Sequence, residues 1–420
     1  MKRKLTKSHA SDAQIPMQAK KLMLVNTLRS IGQGMLVVDL ALYLHALGWS
    51  TAAIGSVLAA GGLLGVVLSP VIGIYSDRFG RKPFILFYEF LTSGCALVGV
   101  FSTDFLLLFL AITFSGFGKA DAGSPSPCAP AEQAWLATFI LTENRGKVYS
   151  LNNALSFFGM AAGAVMAGSA ALWKGFEFGA TSYRFSFFIV FILYLVTALI
   201  IFTIDEGEAL YSRKEVTGIL EKEILNKENS AVFKLAAINV LNGIAIGLTG
   251  PMMSYWFAAK FGASTTQIGG TLALTFFATG VTSLFQAKLS RKHGTIRSIV
   301  VVRFIASMLL ILMPLLSSYI LASILYMIRT ALNRGTQGAQ QALSVSLTRD
   351  RRRGFASSIN SLSMRFPMSV GPYISGYLFG LGSLAMPFYI ASGLQISFAY
   401  LYGRIFRTYE FRLKSHASSG

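Results

Sequence analysis

The chain runs to 420 residues, 53% of them hydrophobic and only 13% charged, with a mean hydropathy of +0.57 and a formal net charge of +19. This balance excludes an ordinary soluble globular protein and fits a polytopic membrane protein. Two cysteines inside apolar stretches and four scattered histidines point to no disulfide framework, metal site or cofactor.

Apolar stretches of about 20 residues, enough to cross a bilayer, can be read at 21–47, 51–75, 83–102, 104–140 (interrupted), 147–172, 183–204, 232–258, 265–287, 297–316, 318–347, 354–381 and 385–403. Twelve spans result. Of the 37 Lys and Arg, 28 fall in the termini and in every second loop, three (Lys174, Arg184, Lys260) in the opposite loops, and six inside spans. By the positive-inside rule both termini and the basic loops are cytoplasmic. The charge is then a topology signal with anionic lipid as partner, and no nucleic-acid partner is expected. The basic head from Lys2 to Lys21 lacks the apolar core and small-residue cleavage site of a signal peptide. The first span is therefore expected to be the anchor, in a bacterial inner (plasma) membrane.

Charges inside spans are costly and mark candidate functional sites. In span 1, Asn26, Arg29 and Gln33 form a polar stripe on one helical face, and Asp39 lies in the outer half with Tyr43 one turn beyond. Arg29 and Asp39 are ten residues apart, about 15 Å of helical rise, too far to pair.

Between spans 2 and 3 runs Gly73-Ile-Tyr-Ser-Asp77-Arg78-Phe-Gly80-Arg81-Lys82, read as a tight charged turn. This resembles the loop signature of the major facilitator superfamily of secondary transporters. The resemblance implies an all-α fold of twelve transmembrane helices in two pseudo-symmetric six-helix bundles. It also implies that Asp77 docks on the start of helix 11, where a helix dipole favours negative charge, and that Gly73, Asp77, Arg78, Gly80 and Arg81 form a gating loop. The glycines would permit a close turn and close helix approach. Spans 1, 4, 7 and 10 line the central cavity in that family, and this chain concentrates polar side chains in those spans.

Glu89 in span 3 and Arg303 in span 9 fall in peripheral spans of that fold and read as structural. Span 4 is broken by the run from Gly116 to Trp135, with Pro125, Pro127 and Pro130, which cannot remain a regular helix. The run either lines a wet cavity or is an extracytoplasmic loop in which Lys119, Asp121 and Glu132 are solvated. Span 5 carries Gly159, Gly163 and Gly168, and span 11 carries Gly371-Pro372 and Gly376; small residues at this spacing allow close helix packing. The resembled family's span 5 bears a glycine motif associated with antiporters, but here Ala164 follows Gly163 and the proline stands in span 11 instead.

Asp205–Ser230 is a polar linker, read as an amphipathic surface helix or a solvated one. Span 7 offers Asn239, Asn242, Thr249 and Trp256; span 10 offers Arg329, Asn333, Thr336, Gln337 and Gln340 on one face, with Arg334 to one side. Arg365 in span 11 is suited either to snorkelling or to an anion. The second half repeats the first: Arg145-Gly146, Ser150, Asn152, Gly163 and Gly168 recur 208 residues on, and Asn26, Ile31 and Gly34 recur 213 residues on. The domains expected are 1–204, a linker 205–230, and 231–420.

A secondary transporter working by alternating access and driven by protons is the reading adopted, without cofactor, metal or catalytic residue, and acting as a monomer. The substrate cavity is assigned to Asn26, Arg29, Gln33, Asn239, Asn242, Trp256, Arg329, Asn333 and Gln337, and proton coupling to Asp39, Asp121 and Glu132. The cargo is either an exported drug or other amphipathic compound, favoured by aromatic- and Met-rich spans, or a small organic anion or metabolite, favoured by six cations against four acids within the spans. A non-transporting membrane sensor or scaffold is the alternative from another class.

Overall fold

A computed structural model describes residues 15–119, 127–140, 144–169, 181–206, 222–293, 295–335, 340 and 353–417. Within them the chain is helical: α1 (Met17–Ala46), α2 (Thr51–Phe79), α3 (Lys82–Phe101), α4 (Phe105–Ser115), α5 (Ala129–Thr138), α6 (Arg145–Ser169), α7 (Thr181–Phe202), α8 (Lys222–Thr249), α9 (Met253–Phe261), α10 (Thr265–His293), α11 (Thr295–Leu312), α12 (Tyr319–Gly335), α13 (Arg353–Gly380) and α14 (Met386–Ala417). Pairing α4 with α5 and α8 with α9 as broken crossings gives the twelve expected.

Local chemistry sets the breaks. Ser50 and Asp104 cap α2 and α4, accepting the backbone N–H of Ala53 and Leu107. Gly116 ends α4 at φ +66, a left-handed position that a side chain would strain, and prolines follow before α5 resumes. Gly250-Pro251 splits the seventh crossing, a break not expected from its continuous apolar run. From Lys222 onward the expected linker forms the first turns of α8. The residues 207–221 lie outside the described residues.

Four helices join spanning length to high mean hydropathy: Thr51–Ser76 at 2.3, Lys82–Phe101 at 1.8, Ser182–Phe202 at 2.8 and Glu228–Thr249 at 1.8. Other crossings are less apolar because they carry polar side chains towards protein. In α1, Asn26, Arg29, Ser30, Gln33 and Asp39 are all buried.

Between apolar helices in lipid no hydrophobic force favours contact over lipid, so close packing has to supply the association. Glycine supplies it here. A Cβ on Gly34 would stand 2.1 Å from the Met160 carbonyl oxygen, and one on Gly163 would stand 1.9 Å from that of Ile31, so α1 and α6 cross with backbones touching. The repeat makes the same crossing: a Cβ on Gly247 would meet the Met368 carbonyl oxygen at 2.2 Å, and Gly371 faces the Gly247 backbone. Partners recur in order. Contacts of α1 with α6 and α7, α3 with α7, and α2 with α4 are matched by those of α8 with α13 and α14, α11 with α14, and α10 with α12.

The first six crossings meet the last six through α2 against α13, α6 against α10, and α1 against α9. At one end the seam is shut. Gly55 packs on Gly376 and Gly168 on Gly269, the Ser254 hydroxyl donates to the Val37 carbonyl at 2.5 Å, and Thr266 donates to that of Gly168 at 2.8 Å. Elsewhere a cavity of about 80 Å³ is lined by α1, α5 and α6 of the first set and by Arg365 of α13.

The turn after α2 is shorter than expected. Residues 73–79 are the last turns of α2, and only Gly80 (φ +91) and Arg81 separate it from α3. Gly73 faces open space, so the close approach expected of it is not made. Arg78 is exposed and Arg81 buried. The side chain of Asp77, and so its docking on helix 11, lies outside the described residues. The start of α3 is held from another direction: the Glu206 carboxylate accepts the backbone N–H of Arg81 and, at 3.1 Å, that of Lys82. Lys82 Nζ in turn donates to the Phe202 and Ile204 carbonyls at 2.9 Å.

The two kinds of glycine contact should separate by experiment. Gly163→Val, within a six-crossing set, should cost about 1–3 kcal/mol by overpacking and lower the melting temperature of the purified protein. Gly55→Leu, at the shut seam, should instead speed maleimide labelling of Ser254→Cys, which is 1% exposed as serine in the closed seam.

Candidate functional site

The polar stripe of α1 faces protein, not lipid: Asn26, Arg29 and Gln33 are 7%, 2% and 1% exposed. Asn26 donates to Ser156 on α6 at 2.7 Å. Arg29 lies between two carboxylates, with Nε 2.7 Å from Glu89 Oε1 on α3 and Nη1 2.5 Å from Glu132 Oε1 on α5. The Thr197 hydroxyl on α7 donates to the second oxygen of Glu89. Two acids and one guanidinium leave a surplus negative charge when all are ionised, and a single proton cancels it.

Glu132 reaches Arg29 because α5 restarts beneath the break. Pro130 opens that helix and places Glu132 in its first turn. The solvated-loop alternative for Glu132 is therefore corrected. Glu89, expected in a peripheral span, is turned inward by α3 onto Arg29. Its only sequence signal was a carboxylate within a span; the helix rotation that aims it comes from packing on α7.

Asp39 forms a separate acid site near the shut end, 2% exposed, accepting from the Ser186 hydroxyl at 2.5 Å. As expected, Arg29 and Asp39 do not pair. Asp121 and Gln337 lie outside the described residues.

Polar side chains of the last six crossings gather differently. Asn239 donates to Asn360 at 2.6 Å, joining α8 to α13 as Asn26 joins α1 to α6. Asn242, fully buried, accepts from Arg303 Nη1 at 2.8 Å. Arg303 is 0% exposed, lies 5.4 Å from the Phe398 ring centre, and meets the Gln340 amide oxygen at 2.9 and 3.2 Å once that amide is turned to face it. It belongs to the interior polar set rather than to the periphery. Arg329, 5% exposed, directs Nη2 to the Thr249 hydroxyl at 3.3 Å, at the break between α8 and α9. Asn333 is buried one turn further along α12, and the guanidinium of Arg334 is 5.0 Å from the Phe157 ring of α6.

Trp256 does not line the cavity. It is 0% exposed, donates to the Leu384 carbonyl at 3.0 Å, and packs on Phe388 with ring centres 4.5 Å apart. The cavity between the two sets is lined by Asn26, Arg29, Glu132, Gln133 and Asn152 from the first set and by Arg365 from the second.

Twelve crossings, repeated contacts, a seam shut at one end and a charged cavity define a multi-pass membrane transport protein. The chain belongs to the Major Facilitator Superfamily, whose family profile matches residues 22–231 and 235–418. It is 23% identical over 411 residues to a Saccharomyces cerevisiae protein described as uncharacterized membrane protein YJR124C, covering 88% of this chain and 90% of that one. Its fold is similar to that of the nucleoside transporter NupG, with TM-score 0.72 and 13% identity over 93% of this chain and 99% of that one. It is also similar to a D-xylose-proton symporter, with TM-score 0.69 and 15% identity over 91% and 97%.

Removing Arg29 would strand two carboxylates in the interior. Arg29→Gln should destabilise the protein by about 3–5 kcal/mol, and the triple change Arg29→Gln, Glu89→Gln, Glu132→Gln should recover most of that loss. Thermal unfolding in detergent measures both.

Proposed function

We propose that this protein is a proton-coupled secondary transporter that works by alternating access, and that Arg29 with Glu89 and Glu132 is its coupling centre. The observation that carries this reading is the sharing of one guanidinium between two buried carboxylates at the edge of the inter-bundle cavity. When a proton joins either acid the group becomes neutral, and a neutral group crosses between environments of different dielectric at less cost than a charged one. Glu132, the more exposed of the pair at 15% against 1%, is the acid that exchanges with the cavity.

The bundles are 1–204 and 231–420, joined by 205–230, and they rock as units. The basic loops put both termini in the cytoplasm of an inner (plasma) membrane. The shut seam is then the outer one, and the cavity opens inward. The segment from Gly73 to Arg81, the end of α2 and the short turn after it, gates that inner side. With its seam completed inside one chain, the protein acts as a monomer.

Of the two kinds of cargo, a small polar or anionic metabolite fits better than an exported amphipathic drug. The aromatic side chains that favour the drug are largely used in packing: Trp256, Phe257, Phe388 and Tyr326 are between 0% and 5% exposed and offer no face to a cargo.

Solutes that differ in level between a deletion strain and its parent supply the panel for proteoliposome assays. Glu132→Gln should reduce pH-gradient-driven uptake about tenfold or more, the scale of one lost proton-transfer group, while counterflow exchange without a gradient persists. Equal loss of both would reject the coupling role. Absence of flux for every solute in the panel would favour the sensor or scaffold.

A further inference from the structure

We propose that Arg329 is the cargo-binding cation of this transporter, and that the cargo is a small organic anion held beside the break in the seventh crossing. The inference rests on the transporter reading for the word cargo and goes beyond it in naming a site and a chemical class.

Between Glu228 and Asp350 the sequence contains no Asp or Glu, so from α8 to α12 the acids are confined to Glu223 and Glu228 in the first turns of α8. Yet Arg303 and Arg329 are 0% and 5% exposed there. Carboxylates across the cleft have other engagements, Glu89 and Glu132 with Arg29, and Asp39 with Ser186. A guanidinium within a membrane protein costs several kcal/mol unless it finds a counter-charge or water. Arg29 meets that demand from within the chain, whereas the hydrogen-bond partner of Arg329 among the described residues is the neutral Thr249 hydroxyl.

Placement separates the two arginines. Arg303 lies behind, among Asn242, Gln340 and the Phe398 ring. Arg329 faces the end of α8 instead. Its hydrogen bond to Thr249 is long at 3.3 Å, and its buried Nε has no hydrogen-bond partner. There α8 stops at Thr249 and α9 begins at Met253, the kind of discontinuity that midplane binding sites of transporters are built on. Planar guanidinium groups bind carboxylate and phosphate through paired hydrogen bonds, and an unpartnered Nε is half of such a pair. Arg303 adds a second positive charge from behind, and Arg365 on the cavity wall extends the same sign towards the opening.

The test uses the full-length protein in uncharged detergent, in chloride medium with a cationic buffer. Thermal unfolding is followed with lactate, benzoate and succinate, each against its amide, and with inorganic phosphate as a separate arm. The wild type should be stabilised by one or more of the acids and not by the matching amide; a response to phosphate alone would assign the site to phosphate-bearing cargo. Arg329→Gln should weaken binding of the responsive anion about 10- to 100-fold, the scale of one charged hydrogen-bonding partner, and Arg329→Lys should restore part of it. Equal response to acids and amides with none to phosphate, or unchanged affinity in Arg329→Gln, overturns the proposal. The wild-type comparison decides even if the variant does not fold. Anion binding that persists without pH-driven flux would count against coupling alone, whereas coupled flux of an uncharged solute with no anion binding would count against Arg329 alone.

Discussion

A charge inside a membrane protein must be answered by another charge or by water, and this constraint organises the interior of the chain. Arg29 is answered twice, by Glu89 from α3 and Glu132 from α5, so one guanidinium joins three crossings of the first bundle. Thr197 adds α7 through Glu89. Removing any member would leave a buried group without its compensation, so the cluster both braces that bundle and sets its protonation. Arg303 and Arg329 have neutral partners in Asn242 and Thr249.

Backbone contact is the second constraint, and it is shared. The α1–α6 and α8–α13 crossings place glycine at corresponding points, Gly34 with Gly247 and Gly163 with Gly371, against carbonyls or backbone that leave no room for a Cβ. Asparagine bridges close both crossings, Asn26 to Ser156 and Asn239 to Asn360. The duplicated halves therefore keep the same mechanical core while their charges diverge, with Glu89 and Glu132 paired to Arg29 in one and no Asp or Glu between Glu228 and Asp350 in the other.

Legibility in the sequence followed the same division. Span number and the repeat could be read because apolar length and recurring glycines are local signals. The broken fourth crossing could be read as well, since three prolines within six residues leave a helix few alternatives. The break in the seventh could not, because Gly250-Pro251 sits inside an apolar run that looks continuous. Arg29 was recognisable as an interior charge, but its partner Glu89 was not: whether α3 turns that acid inward depends on packing against α7, a contact between distant parts of the chain. Trp256 failed in the other direction. Its place in span 7 put it on the expected cavity wall, but its indole nitrogen donates to the Leu384 carbonyl within a packed aromatic cluster. The stretch 73–79 reads as a loop from its charges and is helix, since nothing between Gly73 and Phe79 stops α2.

The clamp at Glu206 carries a mechanical consequence. This carboxylate grips the first backbone amides of α3 and stands at the end of the described first bundle, where the chain leaves for the second. Glu206 thus couples the chain at that junction to the base of α3, and Lys82 fastens the same point to the end of α7. Two helical turns above that base, about 10 Å along the axis, α3 carries Glu89. A tug at the junction of the bundles thus has a rigid rod leading to the acid that grips Arg29.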